Sequence, residues 1–247
     1  MKKIKLGFTN ESYKDEKFFV QKKIPNQFNH KIDYSILSSL DFVPKLFENS
    51  KQWLKFEFIE NIDFELTDQV LIQIADYLKT IHNSKLPFPK TNHAARVKQY
   101  RKVLKDKNIQ IEILNKYYKR INLILSKMEN NRPLHNDLFK TNILMDKNQK
   151  LWIVDWEYAS MGDKHFDLAY FITSNNLNKH QEKVFLDRYE SYWEEYLYQH
   201  KILIYYLIIL WLNNQETMPF DDKPFYQLVE QSVQEYENKK KNNEFAK

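Results

Sequence analysis

The order of apolar and polar positions divides the chain into two stretches of different character. Over the first sixty residues the apolar side chains come in short runs separated by turn residues. Ile4-Lys5-Leu6 is followed by a turn over 7–12, and then by runs over 17–22, 42–47 and 53–59. Such runs predict short strands. One segment departs from this: 29–40 carries Ile32, Ile36, Leu37 and Leu40 at helical spacing and predicts a helix. Beyond about residue 60 helical periodicity takes over. Thr67 is placed to cap a helix with Val70, Ile74, Tyr77 and Ile81 on one face, ending near Ser84 ahead of Pro87 and Pro89. Further helices are predicted over 94–104, 109–127, from Phe166 onward, and over 184–198, 201–213 and 224–235. A hairpin interrupts them: Ile143-Leu144-Met145 and Leu151-Trp152-Ile153-Val154 flank five polar residues, 146–150. The expectation is an α+β chain with a β-rich lobe over 1–60 and a larger helical lobe over 61–247.

The chemistry gathers around that hairpin. Leu134-His135-Asn136-Asp137-Leu138 precedes it by a few residues, Asn142 opens its first strand and Asp155 follows its second. Pairing the two strands brings Asn142 and Asp155 to the same end, away from the turn. A carboxylate beside a substrate hydroxyl, with an amide oxygen and a second carboxylate for Mg²⁺, is the minimal equipment of phosphoryl transfer. Mg²⁺ takes hard oxygen ligands, one or two from protein and the remainder from phosphates and water. Upstream, the turn over 7–12 holds one of the two glycines of the chain together with Thr9 and Asn10. Backbone N–H groups of such a turn can cradle phosphates. Lys22 or Lys23 would reach those phosphates from the following strand; alternation favours Lys22, on the face of Phe18 and Val20. Asp33 is placed to pair with that lysine.

Composition narrows the classes of function. The formal net charge is +5, but the lysines are scattered rather than striped, which argues against a nucleic-acid partner. Lys239-Lys240-Lys241 is the basic run, expected as a frayed, solvated tail. The chain has no cysteine, which excludes disulfides and thiolate metal sites and suits a reducing compartment. No apolar stretch follows Met1, and the longest apolar run, 202–212, is about half of what spans a bilayer. These features lead to the expectation of a cytoplasmic protein with no integral membrane segment.

Two segments carry a resemblance. His135-Asn136-Asp137 with Asn142-Ile143-Leu144, and Asp155-Trp156-Glu157-Tyr158-Ala159 followed by Gly162 and Phe166-Asp167-Leu168-Ala169, resemble the choline/ethanolamine kinase group within the aminoglycoside-phosphotransferase-like kinases. Gly7-Phe8-Thr9-Asn10 is similar to the family's phosphate loop. Asn29-His30-Lys31-Ile32-Asp33 is similar to a segment that usually carries Asn-Arg and then Glu, so His30 and Asp33 are departures. The resemblance implies a protein-kinase-like fold of two lobes, with a hinge over 57–60. ATP would lie against Gly7, Thr9, Asn10, Lys22 and Phe58, with adenine on the hinge backbone. It implies Asp137 as catalytic base, Asn142 and Asp155 as Mg²⁺ ligands, and Tyr158 and Trp211 as aromatic walls for a quaternary ammonium group. His135, Glu157, Asp33 and Asp167 would support them, His135 through the backbone or Asp155 and Asp167 by capping the helix that follows. The family often has a second tryptophan at the position of Ile208; Tyr205, Tyr206, Tyr192 or Trp193 are the aromatics that could replace it.

The implied activity is ATP-dependent transfer of a phosphoryl group to a small alcohol, choline first. Ethanolamine, thiamine and aminoglycosides are alternative acceptors on the same fold. A metal-dependent hydrolase using His135, Asp137 and Asp155 is a competing class, disfavoured because no further histidines stand at ligand spacing. A non-catalytic kinase-like binder is another, disfavoured because it has no need of Asp137, Asn142 and Asp155 together.

Overall fold

The computed structural model describes residues 1–4, 10–90 and 92–245. In chain order the strands are β1 (Lys2–Ile4), β2 (Glu11–Asp15), β3 (Phe18–Lys22), β4 (Leu46–Asn49), β5 (Trp53–Glu57), β6 (Arg132–Leu134), β7 (Ile143–Met145), β8 (Leu151–Ile153) and β9 (Ser160–Gly162). The helices are α1 (Asp68–Asn83), α2 (His93–Asp106), α3 (Glu112–Lys116), α4 (Tyr118–Lys127), α5 (Lys164–Ser174), α6 (Lys179–Tyr189), α7 (Glu194–Asn214) and α8 (Lys223–Lys241). They fall into two compact units. One comprises Met1–Pro89, Pro133–Met161 and Asn178–Tyr189; the other Lys90–Arg132, Gly162–Leu177 and Glu190–Lys247.

In the first unit a five-stranded antiparallel sheet has the order β1-β2-β3-β5-β4. Ser12, Gln21 and Leu54 face one another across β2, β3 and β5 and are all buried, so the sheet's inner face carries polar groups as well as apolar ones. Strand β2 is not predicted by the apolar pattern, which places a turn through Ser12. Its one fully inward side chain is that serine, so it lacks an apolar alternation.

The helix expected over 29–40 is reduced to a 3-10 turn, Tyr34–Ser39, capped by Asp33. Local side-chain bonds take its first half. Asn26 Oδ1 accepts from the amides of Phe28 and Asn29, Asn29 Oδ1 accepts from that of Asn26, and His30 sits at φ 52°. Asparagine side chains that satisfy the backbone in this way compete with helix formation. The strand expected over 42–47 starts only at Leu46. Phe42 is instead core, stacked on Tyr77 at 4.1 Å between ring centroids, and its carbonyl accepts from the Ile153 amide.

Helix α1 follows the expected pattern: Thr67 caps it at the Val70 amide, and Leu71, Ile74, Leu78 and Ile81 are fully buried. Helix α6 packs beside it, joined by His82 Nδ1 to the Tyr189 hydroxyl at 2.8 Å and by a forked Arg188–Asp76 pair.

The second unit is helical, with α5 and α8 packed on α7. The apolar run 202–212 is buried within α7, and among the described residues no helix is long and apolar enough to cross a membrane. Two expected helices are broken. The span 109–127 divides at Tyr117 into α3 and α4. The span 184–198 ends at Tyr189, Glu190 takes φ 67°, and α7 starts afresh at Glu194. His165 Nε2 accepts the Trp193 amide there, which fixes the break. Lys239 and Lys240 are not a frayed tail. They lie in the last turn of α8, where cations suit the helix dipole, and pair with Glu194 and Glu195 at 2.7 Å.

Asp167 does not cap α5. Asp163 does, and Asp167 lies inside the first turn, fully buried. Asp163 Oδ1 accepts from the amide and Nδ1 of His165, while Oδ2 accepts from the Glu129 amide. Burial alone would raise its carboxyl, but the hydrogen bonds from His165, with His200 close by, hold it well below the usual range. A carboxyl depressed by folding adds stability above its unfolded value and loses it as pH falls further. Asp163→Asn is therefore expected to cost about 2–3 kcal/mol at pH 7. In thermal unfolding measured from pH 7 to pH 3, the gap to the parent should shrink below about pH 4.

Candidate active site

The hairpin forms as the sequence predicts, with Ile143 opposite Ile153 and Met145 opposite Leu151. Asp146 closes its turn by accepting from the amides of Asn148 and Lys150 and from Trp152 Nε1. At the other end the Val154 amide donates to the Asn142 carbonyl, which brings Asn142 and Asp155 together. Asn142 Nδ2 donates to the Asp137 carbonyl at 2.8 Å and to Asp137 Oδ2 at 3.3 Å. The candidate base and the two candidate metal ligands thus belong to one constellation.

His135 does not transfer protons in this arrangement. Its Nδ1 accepts from the Asp137 amide and its Nε2 donates to the Val154 carbonyl, which selects one neutral tautomer. Its ring lies 4.7 Å from that of Trp156, which is itself buried. Of the two bonding partners expected for it, backbone or Asp155, the structure has the backbone. Asn136 and Asp155 both adopt left-handed φ, 66° and 61°, a strain that non-glycine residues hold where the surroundings impose it. Asn136 is held by Nδ2 bonds to the Tyr158 carbonyl and Ser160 Oγ.

Asp155 Oδ1 is buried with no hydrogen-bond partner among the described residues. Burial pushes its carboxyl up from the ordinary range, opposed by the neighbouring Gln21 amide. Glu157, two residues on, is pushed up by burial and then by the charge of Asp155. Two buried carboxyls this close leave an uncompensated negative field, which a cation relieves. Asn142 uses its nitrogen on Asp137, which leaves its oxygen as the candidate donor to a cation. Among the described residues no group of three or more His, Cys, Asp or Glu side chains could hold a metal ion. The donor set is that of an ion completed by phosphates and water, which fits Mg²⁺ and not a closed protein cage.

Glu157 is 2% exposed and surrounded by uncharged donors. Its Oε2 accepts from Asn10 Nδ2 at 3.0 Å and Asn29 Nδ2 at 2.7 Å, and lies 3.2 Å from His30 Nε2. The Glu157 carbonyl accepts from the His30 amide at 2.7 Å. His30 Nδ1 meets the Tyr34 hydroxyl at 2.7 Å. Burial, followed by the charge of Lys23, lowers His30 to about 4, so it is neutral near pH 7. Sequence reasoning missed Asn29 and Tyr34 as members of this cluster. Asn29 sits in the segment that carries the resemblance, which was its one signal.

The other expected site residues are placed as follows. Gly7 and Thr9 lie outside the described residues. Asn10 is turned toward Glu157, with its Oδ1 accepting from the Ile24 amide. Lys22 is half-exposed and 3.5 Å from Glu11. Lys23 donates to Asn49 Oδ1 and the Ser50 carbonyl, with its ammonium 5.3 Å from the Tyr34 ring. Asp33 makes no ion pair with either lysine; it accepts from Ser35, because the shortened helix starts one residue after it. The Phe58 amide donates to the Lys17 carbonyl, so it is not available to adenine. Tyr158 belongs to the first unit and Trp211 to the second. Within the run 202–212 of α7, Tyr205, Ile208 and Trp211 form a partly exposed stripe, whereas Tyr206 is buried against Arg101 and the Leu114 carbonyl.

Residues 34–199 match the model of the phosphotransferase enzyme family, APH. A LicA homologue of Metamycoplasma hominis is 47% identical over 241 residues, covering 95% of this chain and 96% of that protein. The chain belongs to the phosphotransferase enzyme family. Its fold agrees with that assignment. A crystal structure of LicA in complex with AMP superposes with a TM-score of 0.75 at 22% identity, covering 96% of this chain and 92% of that one. Choline kinase LicA from Streptococcus pneumoniae gives 0.70 at 20% identity, covering 96% and 95%. This phosphotransferase therefore has the kinase-like architecture, an antiparallel sheet followed by a larger helical part.

Proposed function

We propose that this phosphotransferase moves the γ-phosphoryl group of ATP to the hydroxyl of choline. The observation that carries the reading is the constellation at the hairpin end: Asn142 pinned to Asp137 beside a buried Asp155 oxygen with no protein partner among the described residues. Asp137 accepts the hydroxyl proton as the substrate oxygen attacks the γ-phosphorus. The bond from γ-phosphorus to the β–γ bridging oxygen breaks, and ADP leaves with that electron pair. Asn142 and Asp155 would hold Mg²⁺, which when bound neutralises charge on the β- and γ-phosphates. The turn over 7–12 and Lys22 or Lys23 would take the phosphates, with adenine against Phe58 and its neighbours. LicA's bound AMP supports a nucleotide in this fold.

Choline is favoured over other alcohols by the LicA relatives and by Trp211 lying on the partly exposed stripe of α7 rather than in its core. A trimethylammonium group offers no strong hydrogen-bond donor, so aromatic faces select it. The test is transfer from radiolabelled ATP to choline, ethanolamine, thiamine and an aminoglycoside. Choline should give the highest kcat/KM. Trp211→Ala should raise KM for choline by about tenfold with a smaller effect on ethanolamine. Bound ATP with no transfer to any acceptor would leave a binding protein; transfer to thiamine alone would keep the chemistry and discard choline.

A further inference from the structure

The lysines look scattered along the chain, but its net charge is not. Helices α2 to α4, residues 93–127, hold ten Lys and Arg against two acids, Asp106 and Glu112. That excess of eight exceeds the +5 of the whole chain, so the remaining residues together are net negative. The segment lies entirely in the second unit.

Folding sorts these cations. The arginines are occupied by the protein itself. Arg101 donates to the Leu114 carbonyl, the Tyr206 hydroxyl and Asn115 Oδ1, Arg96 donates to the Tyr100 hydroxyl, and Arg120 pairs with Glu237. Lys116 pairs with Glu230. The exposed lysines of α2 are different. The helix buries His93, Val97 and Leu104, while Lys98, Lys102 and Lys105 stand at i, i+4 and i+7 on another side, all exposed. They make a row about 10 Å long. Among the described residues no side-chain partner neutralises any of the three. Against them α2 carries one acid, Asp106, and exposed Lys107 follows at the helix end.

We propose that this face of α2 docks on an anionic phospholipid surface. Lysine is a compact, hydrated charge on a flexible stem, and it asks no fixed geometry of its partner. A lipid surface offers many phosphates that can rearrange beneath such a row, and each nearby lysine adds to the attraction. Nucleic-acid recognition would call instead on the planar donor fork of arginine, and the arginine heads of this segment are taken up by protein groups. Ile109, 37% exposed just beyond Lys107, supplies an apolar side chain beside the charges, as interfacial segments do. The contact is peripheral: among the described residues no helix is long and apolar enough to cross a membrane.

The experiment is co-sedimentation of the full chain with vesicles, either phosphatidylcholine alone or phosphatidylcholine mixed with phosphatidylglycerol. The parent should sediment with the mixed vesicles, remain in solution with the neutral ones, and be released as salt is raised. Lys98→Gln, Lys102→Gln and Lys105→Gln together should lower partitioning at least about tenfold. Lys51→Gln, Lys85→Gln and Lys179→Gln remove the same charge from other exposed positions and should leave partitioning within about twofold of the parent. Lys98→Arg, Lys102→Arg and Lys105→Arg together keep the charge and should bind like the parent. Far-ultraviolet melting checks that each variant is folded. If the glutamine triple is unfolded, the single changes at 98, 102 and 105 decide, each expected to cost about threefold. Equal losses in the two glutamine triples would reduce the effect to net charge and overturn the proposal. So would a parent that ignores the mixed vesicles. A parent that binds a single-stranded RNA homopolymer through these lysines, and not the vesicles, would assign the face to nucleic acid and overturn it too.

Discussion

Replacing Asp137 by alanine is expected to lower kcat for choline phosphorylation by about 10²-fold or more while ATP binding stays close to the parent value. Asp137 sits in the segment between β6 and β7, with its carbonyl and Oδ2 both accepting from Asn142 Nδ2 and its amide donating to His135. The surrounding loop is held by Asn136 and by His135 on Val154, neither of which needs the Asp137 carboxylate. The substitution should therefore remove chemistry without unfolding the loop. Single-turnover transfer separates the two effects, since a lost base slows the chemical step at saturating ATP and choline. An unchanged single-turnover rate would move the base elsewhere.

Replacing Asp155 by asparagine is expected to lower transfer by about 10²–10³-fold at a fixed Mg²⁺ concentration, the scale of losing one preorganised charge contact. The Mg²⁺ needed for half-maximal residual activity should rise. A second effect has the opposite sign. The Asp155 carboxyl is raised by burial, so its ionised form opposes folding at every pH above its unfolded value. In chelator, Asp155→Asn should melt higher than the parent at pH 7–8, and the difference should fade as pH drops toward about 4. With Mg²⁺ and nucleotide present the parent should regain the lead, because the ion compensates the charge that burial penalises. Equal melting curves in chelator would mean that the buried oxygen carries no such strain.

Much of the site is legible in the sequence. Asp137, Asn142 and Asp155 stand as polar residues inside apolar runs, and the hairpin that unites them has a plain signal: two short apolar strands about a polar turn. The α1 cap at Thr67 and the buried run of α7 are equally readable, because each depends on spacing within one element. The supporting roles are not. Asp33 looks like an ion-pair partner and is a cap; Asp167 looks like a cap and is an interior side chain. In both cases the error is a shift of a few residues in where a helix starts, which side-chain bonds to nearby amides decide.

Sequence alone determined the division into a β-rich start and a helical remainder, the hairpin, the three residues of the proposed chemistry and the family they belong to, since all of these rest on local patterns. Tertiary structure decided which groups compensate one another. Asn10 and Glu157 are 147 positions apart, and Asn29 and Glu157 are 128 apart. No periodicity reports such a pair. The folded chain turns Asn10 onto Glu157, gives that buried carboxylate amides instead of a cation, and leaves one oxygen of Asp155 without a partner among the described residues. Burial is what makes those arrangements matter, because a charge that water would screen at the surface must find its partners inside the protein.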